Sequence, residues 1–121
     1  MRFEQTPIIT NGDMSGNINS QGMDFNQIML YSVQAVWTGT PSGILKLQLS
    51  NDIVNPVIGS IGQANEVVNW TDYTGSPQTL SGSAGNFVWN CIYPGYRWMR
   101  LVYTASSSSG TLNVIVSAKG A

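Results

Sequence analysis

The chain has 121 residues, 42% hydrophobic and only 9% charged, where about a quarter charged is usual for a soluble domain. Five basic and six acidic residues leave a net charge of −1 with no basic stripe, which argues against nucleic-acid binding, because neutralising a row of phosphates needs clustered Lys and Arg. No histidine and one cysteine exclude a Ser-His-Asp triad, an internal disulfide and a zinc site of the usual composition.

A chain of this length buries roughly two-thirds of its unfolded surface and can fold as one unit without metals or disulfides. With so few charges, Ser, Thr, Asn, Gln and Gly must cover much of the exterior, a pattern suited to a protein held in an assembly and equally to many secreted β domains. The opening Met1-Arg2-Phe3-Glu4-Gln5-Thr6 contains no apolar targeting segment, and no stretch approaches the ~18 apolar residues of a membrane span. Synthesis and assembly in the cytosol, with no membrane partner, is the expectation.

Along the chain, period-2 alternation bounded by turn residues dominates, with no long helical stripe. Residues 1–25 are rich in Asn, Gly, Met and Gln and alternate weakly. They read as an N-terminal arm or as edge strands (Pro7–Thr10 and an irregular Asn17–Phe25), with the sandwich domain spanning 26–121. From Ile28 to Thr38, Tyr31, Val33, Ala35 and Trp37 share one face; Thr38-Gly39-Thr40-Pro41-Ser42-Gly43 then leads to Gly43–Ser50, where Leu45, Leu47 and Leu49 alternate with Lys46 and Gln48. Residues 51–65, broken by Pro56, Gly59 and Gly62, form a connection longer than a hairpin needs, and Asp52 is expected to end a strand by bonding to nearby backbone.

Short strands follow at Val67–Tyr73, Gln78–Leu80 and Phe87–Ile92, the last holding Cys91 as a small buried hydrophobe. Pro94-Gly95 is expected to make a tight turn into an antiparallel partner, Tyr96–Ala105. That strand is apolar on both faces, as a covered central strand would be. Ser106-Ser107-Ser108-Ser109-Gly110 reads as a hairpin tip before Thr111–Lys119, where Leu112, Val114, Val116 and Ala118 share a face. About eight strands in this order imply an all-β fold: an antiparallel two-sheet sandwich, jelly-roll-like.

Little chemistry is on offer. The acids Glu4, Asp13, Asp24, Asp52, Glu66 and Asp72 fall mostly in loops, at strand ends or in the N-terminal segment. Two facing carboxylates would suffice for a glycosidase, but none of these lies in an aromatic-rich run that would hold a sugar ring, and solvated loop acids are the better reading. No catalytic residue, cofactor or metal ligand is therefore assigned. Trp37, Trp70, Trp89 and Trp98 all lie in expected strands and read first as core, with Trp70 and Tyr73 the best candidates for exposure. Arg97 and Arg100 flank Trp98, placed either to meet a partner or to stack on a strand aromatic.

Several strings in fixed order carry a resemblance: Val33-Gln34-Ala35-Val36-Trp37-Thr38-Gly39-Thr40-Pro41-Ser42-Gly43, Leu45-Lys46-Leu47-Gln48-Leu49-Ser50-Asn51-Asp52, Asn69-Trp70-Thr71-Asp72-Tyr73, Gly95-Tyr96-Arg97-Trp98-Met99-Arg100-Leu101-Val102-Tyr103-Thr104 and Gly110-Thr111-Leu112-Asn113-Val114. Over residues 28–120 the chain resembles small virion proteins of tailed phages, of the jelly-roll capsid cement or decoration type. The resemblance implies a place on the capsid exterior, the major capsid protein as partner, and a homo-oligomer (dimer or trimer). It offers no catalytic residue. Partner-binding candidates are Arg2, Phe3, Ile8, Ile9, Met14 and Met23 in the N-terminal segment, with Trp70, Tyr73 and Arg97 beyond it. The alternative is a carbohydrate- or receptor-binding sandwich of a tail fibre or other virion component, with a glycan as ligand.

Overall fold

The computed structural model describes residues 3–25, 28–52, 67–92, 95–106 and 108–120. These form ten strands: β1 (Phe3–Asp13), β2 (Ile18–Asn19), β3 (Met23–Asp24), β4 (Ile28–Thr40), β5 (Ser42–Ser50), β6 (Thr71–Asp72), β7 (Gln78–Ser81), β8 (Gly85–Ile92), β9 (Trp98–Ala105) and β10 (Ser109–Gly120). One sheet runs β1-β10-β4-β8. The other is centred on β9 and β5, flanked by β2 and β3 on the β9 side and by β6 and β7 on the β5 side. Every pairing is antiparallel. The expected class, an all-β two-sheet sandwich, is the class observed.

The alternating rows meet between the sheets. Tyr31, Val33, Ala35 and Trp37 of β4 and Leu112, Val114, Val116 and Ala118 of β10 face Leu45 and Leu47 of β5 and Met99, Leu101 and Tyr103 of β9 in one buried cluster. A strand's side chains alternate across the sheet, so each such row commits its strand to one register. The β4–β10 ladder accordingly runs from Ser109↔Thr40 to Lys119↔Leu30 without a shift. At its end Gly39 (φ 84°) faces Gly110 (φ 141°), and a Cβ on Gly110 would lie 2.1 Å from the Thr38 carbonyl oxygen. Only glycine combines that φ with so close an approach of two backbones.

Two expectations change. β8 and β9 do not form a hairpin around Pro94-Gly95: they lie in different sheets, β8 beside β4 and β9 beside β5. Likewise the serine-rich segment joins β9 of one sheet to β10 of the other instead of capping a hairpin. Turn residues mark where a chain reverses, not which sheet it re-enters. With strongly apolar rows on both flanking strands, crossing over buries both rows in one core. Of the two readings of the N-terminal segment, arm or edge strands, the structure shows strands. β1 pairs with β10 from Phe3↔Lys119 to Asp13↔Thr111, with two register shifts, and β2 and β3 pair with β9. Ile9, Met14 and Phe25 belong to the buried cluster. Most of the 51–65 connection lies outside the described residues.

Candidate functional site

The sandwich presents two outer faces of opposite character. On the β1-β10-β4-β8 sheet, the rows facing away from the core follow from the registers. They are Gln5–Ser117–Ser32–Asn90, Pro7–Ile115–Gln34–Val88 and Asn113–Val36–Asn86. None of these side chains is charged. Val36 (43% exposed), Val88 (47%) and Ile115 (42%) surround Gln34 on it. A monomer's surface ordinarily mixes charges among its polar groups; a flat face of amides, hydroxyls and β-branched apolar groups suits burial against another protein.

The opposite sheet carries a charged row across its middle, whereas the described charges of the first sheet, Glu4, Asp13 and Lys119, lie at its edge strand and at the end of β10. Facing outward, Arg100 of β9 places its guanidinium 4.6 Å from the Trp70 ring centroid and donates through Nε to Gln48 Oε1 at 2.8 Å. Gln48 Nε2 donates to Asp72 Oδ1 at 2.9 Å, and Lys46 Nζ to Asp72 Oδ2 at 3.1 Å. The Gln48 and Lys46 contacts hold the Asp72 carboxyl below its ordinary range, and burial pushes the Arg100 guanidinium down. Nearby, Arg97 grips Asp24 with two bonds, Nε at 2.6 Å and Nη2 at 3.0 Å, which raises the Arg97 pKa. It also lies 5.2 Å over Trp98.

Asp52 acts differently from the expectation that it would cap its own strand. Its carboxylate accepts from the backbone N–H groups of Val68 and Asn69 and from Asn69 Nδ2, at 2.8–3.0 Å. It thus pins the chain's return after the long connection, and these donors, Asn69 first, lower its pKa.

A cleft of about 260 Å³ opens beside β8, lined by Leu47, Tyr73, Ser76, Phe87, Trp89 and Asn90 among others. Trp89 Nε1 donates to the Ser76 carbonyl oxygen across it at 2.8 Å, and Phe87 and Trp89 meet edge-on at 5.0 Å. Behind Tyr73, the Tyr96 ring packs against Phe25 and Tyr31. The Tyr31 and Tyr96 hydroxyls are bonded to each other, and burial pushes the Tyr96 phenol up.

The residues singled out in the sequence fall in different surroundings. Ile9 and Met14 are buried in the core, and Ile8 and Met23 are half-buried against it. Tyr73 also packs on the core and lines the cleft, and Trp70 lies half-buried beneath Arg100. Arg97 is exposed but joined to Asp24. Phe3 is described only through its backbone, at the start of β1, and Arg2 lies outside the described residues. The sequence reading overlooked the uncharged face. Its trace was present in Val36, Val88 and Ile115, apolar residues on the polar phase of otherwise alternating strands.

These features define a two-sheet antiparallel β-sandwich. No family model matches the sequence, and no curated protein matches it. Among solved structures it is similar to the SPBc2 prophage-derived protein YomS, with a TM-score of 0.52 and 10% identity over 97% of this chain and 96% of that one. It is similar also to a carbohydrate-binding module from a glycoside hydrolase family 9 protein (Cel9A) of Ruminococcus flavefaciens FD-1, with a TM-score of 0.50 and 13% identity over 94% and 96% of the two chains. At these identities the likeness is one of fold.

Proposed function

We propose that the protein is a non-catalytic virion component, a capsid cement or decoration protein that docks on the major capsid shell through the outer face of the β1-β10-β4-β8 sheet. The observation that carries this reading is the absence of charge across three successive rows of that face, with Val36, Val88 and Ile115 exposed on it. Binding only the assembled shell stabilises it by mass action. The whole-chain likeness to a prophage-derived protein agrees with this reading. The protein should co-sediment with the shell of the virus that encodes it and raise the shell's resistance to heat. Ile115→Glu, which would bury an unpaired carboxylate in the interface, should weaken binding at least about tenfold. Shells lacking the protein that survive heating unchanged would count against the reading.

A glycan-binding reading has one observation in its favour, the cleft lined by Tyr73, Phe87 and Trp89, in a fold like that of a carbohydrate-binding module. The charged row is the weaker platform for a sugar, because Arg100 already occupies a face of Trp70. A glycan array with no hits would dispose of it. Hits abolished by Trp70→Ala but not by changes at the cleft would move the sugar to the charged row.

A further inference from the structure

The two edges of the β1-β10-β4-β8 sheet are built differently. β1 carries Pro7, Glu4 and Asp13 and two register shifts against β10, the devices by which proteins keep an edge strand from pairing with another chain. β8 has none of them. Its eight residues, Gly85-Asn86-Phe87-Val88-Trp89-Asn90-Cys91-Ile92, include no charge and no proline. Its register against β4 is unbroken from Trp37↔Gly85 to Leu30↔Ile92. Beside it lies a cleft, and among the described residues no strand pairs with its other side.

The edge is also self-complementary. Asn86-Phe87-Val88-Trp89-Asn90 reads as a palindrome of residue types about Val88. We infer that β8 pairs antiparallel with β8 of a second copy about a twofold axis at Val88, joining two sandwiches through one continuous sheet. Val88 then meets Val88 of the partner subunit on the outer face, with each Asn86 opposite an Asn90. On the inner face each Phe87 lies opposite a Trp89. A charged partner strand would find no counter-ion here, whereas a second copy matches each position from Asn86 to Asn90. A twofold contact of this kind closes on itself, and the guarded β1 edge stops growth beyond two copies.

This inference is independent of what the outer face docks on. One consequence does rest on the shell reading. Four strands averaging about eleven residues give a face of roughly 700 Å² per copy, short of the ~800 Å² per partner of a stable interface; pairing doubles it.

The test is sedimentation equilibrium of the full chain across a wide range of concentration, with circular dichroism confirming that each variant folds. The wild type should give twice the chain mass, and Val88→Lys, which sets two like charges face to face, should weaken the dimer at least about tenfold. Val36→Lys, equally exposed on the same face but away from the edge, should leave the dimer intact. In a Cys91→Ser background, Val88→Cys should form a covalent dimer on oxidation and Val36→Cys should not. A monomer at all concentrations, a trimer, or a dimer as sensitive to Val36→Lys as to Val88→Lys would overturn the inference. Shell binding that fails while the dimer persists would sink only the docking reading.

Discussion

Met14 decides whether the N-terminal segment is structural. Its side chain is fully buried, and its backbone N–H donates to the Gly110 carbonyl oxygen at 3.0 Å, tying the end of β1 to the start of β10. Met14→Ala keeps that backbone bond and removes the side chain from the core. The lost burial and the cavity left behind together cost about 2–5 kcal/mol. With an unfolding entropy near 2.1 cal/mol/K per residue, a chain of 121 residues loses about 4 °C of Tm per kcal/mol, so the melting point should fall by about 8–20 °C. Calorimetry and urea titration of the same protein supply both numbers, and Val68→Ala, at a side chain 76% exposed, should change stability by less than about 0.5 kcal/mol. A Met14→Ala loss no larger than that of Val68→Ala would refute the placement of Met14 in the core. It would restore the picture of an arm that can be removed.

Other outcomes follow from the same reasoning. Gly110→Ala should destabilise by about 3 kcal/mol or more, because the added Cβ meets the Thr38 carbonyl at 2.1 Å in a backbone conformation unsuited to L-residues; thermal unfolding reads it, and a near-neutral result would mean that the two glycines do not face each other. The pKa values of Asp13, Asp52 and Asp72 are lowered by hydrogen bonds made in the folded state. A depressed folded pKa contributes stability that is present above the unfolded value, near 4, and lost as pH falls through the folded value. Urea midpoints should therefore hold level around neutrality and fall below about pH 4, and Asp52→Asn should flatten part of that acid limb while lowering stability at neutral pH. Deleting residues 1–25 should leave the chain unfolded or aggregated, seen as loss of the strand signal in circular dichroism, since β10 would lose its β1 partner.

Local pattern carried much of the fold. The rows of β4, β5 and β10 were legible because alternation over seven or more residues has one explanation, a strand with one face in a core. The apolar character of both faces of β9 likewise foretold its central place, with Trp98 and Val102 buried on the side away from the core cluster. Met14 was not legible: a single apolar residue in Gly12-Asp13-Met14-Ser15 carries no period, and only the meeting of β1 with β10 covers it. The same limit hid the row from Trp70 to Lys46, whose members come from β5, β9 and the β6 segment and meet only through register. Asp52 looked like a local cap because its true donors lie beyond a long connection. Ile9 and Met14 are core residues, not exposed ones, for one reason. Apolar residues in a weakly patterned segment look exposed, yet edge strands gave that segment a register.

The pairing of β1 with β10 also constrains how the sandwich comes to exist. β10 separates β1 from β4, so the earliest strand finds no place until the latest one is available. Half of the molecule cannot assemble in the order in which it is written. Such long-range closure makes for slow folding, and until it happens β4 offers an unmatched ladder to any neighbouring chain. High expression should therefore favour inclusion bodies over soluble protein, and cooling or slower synthesis should shift the balance back.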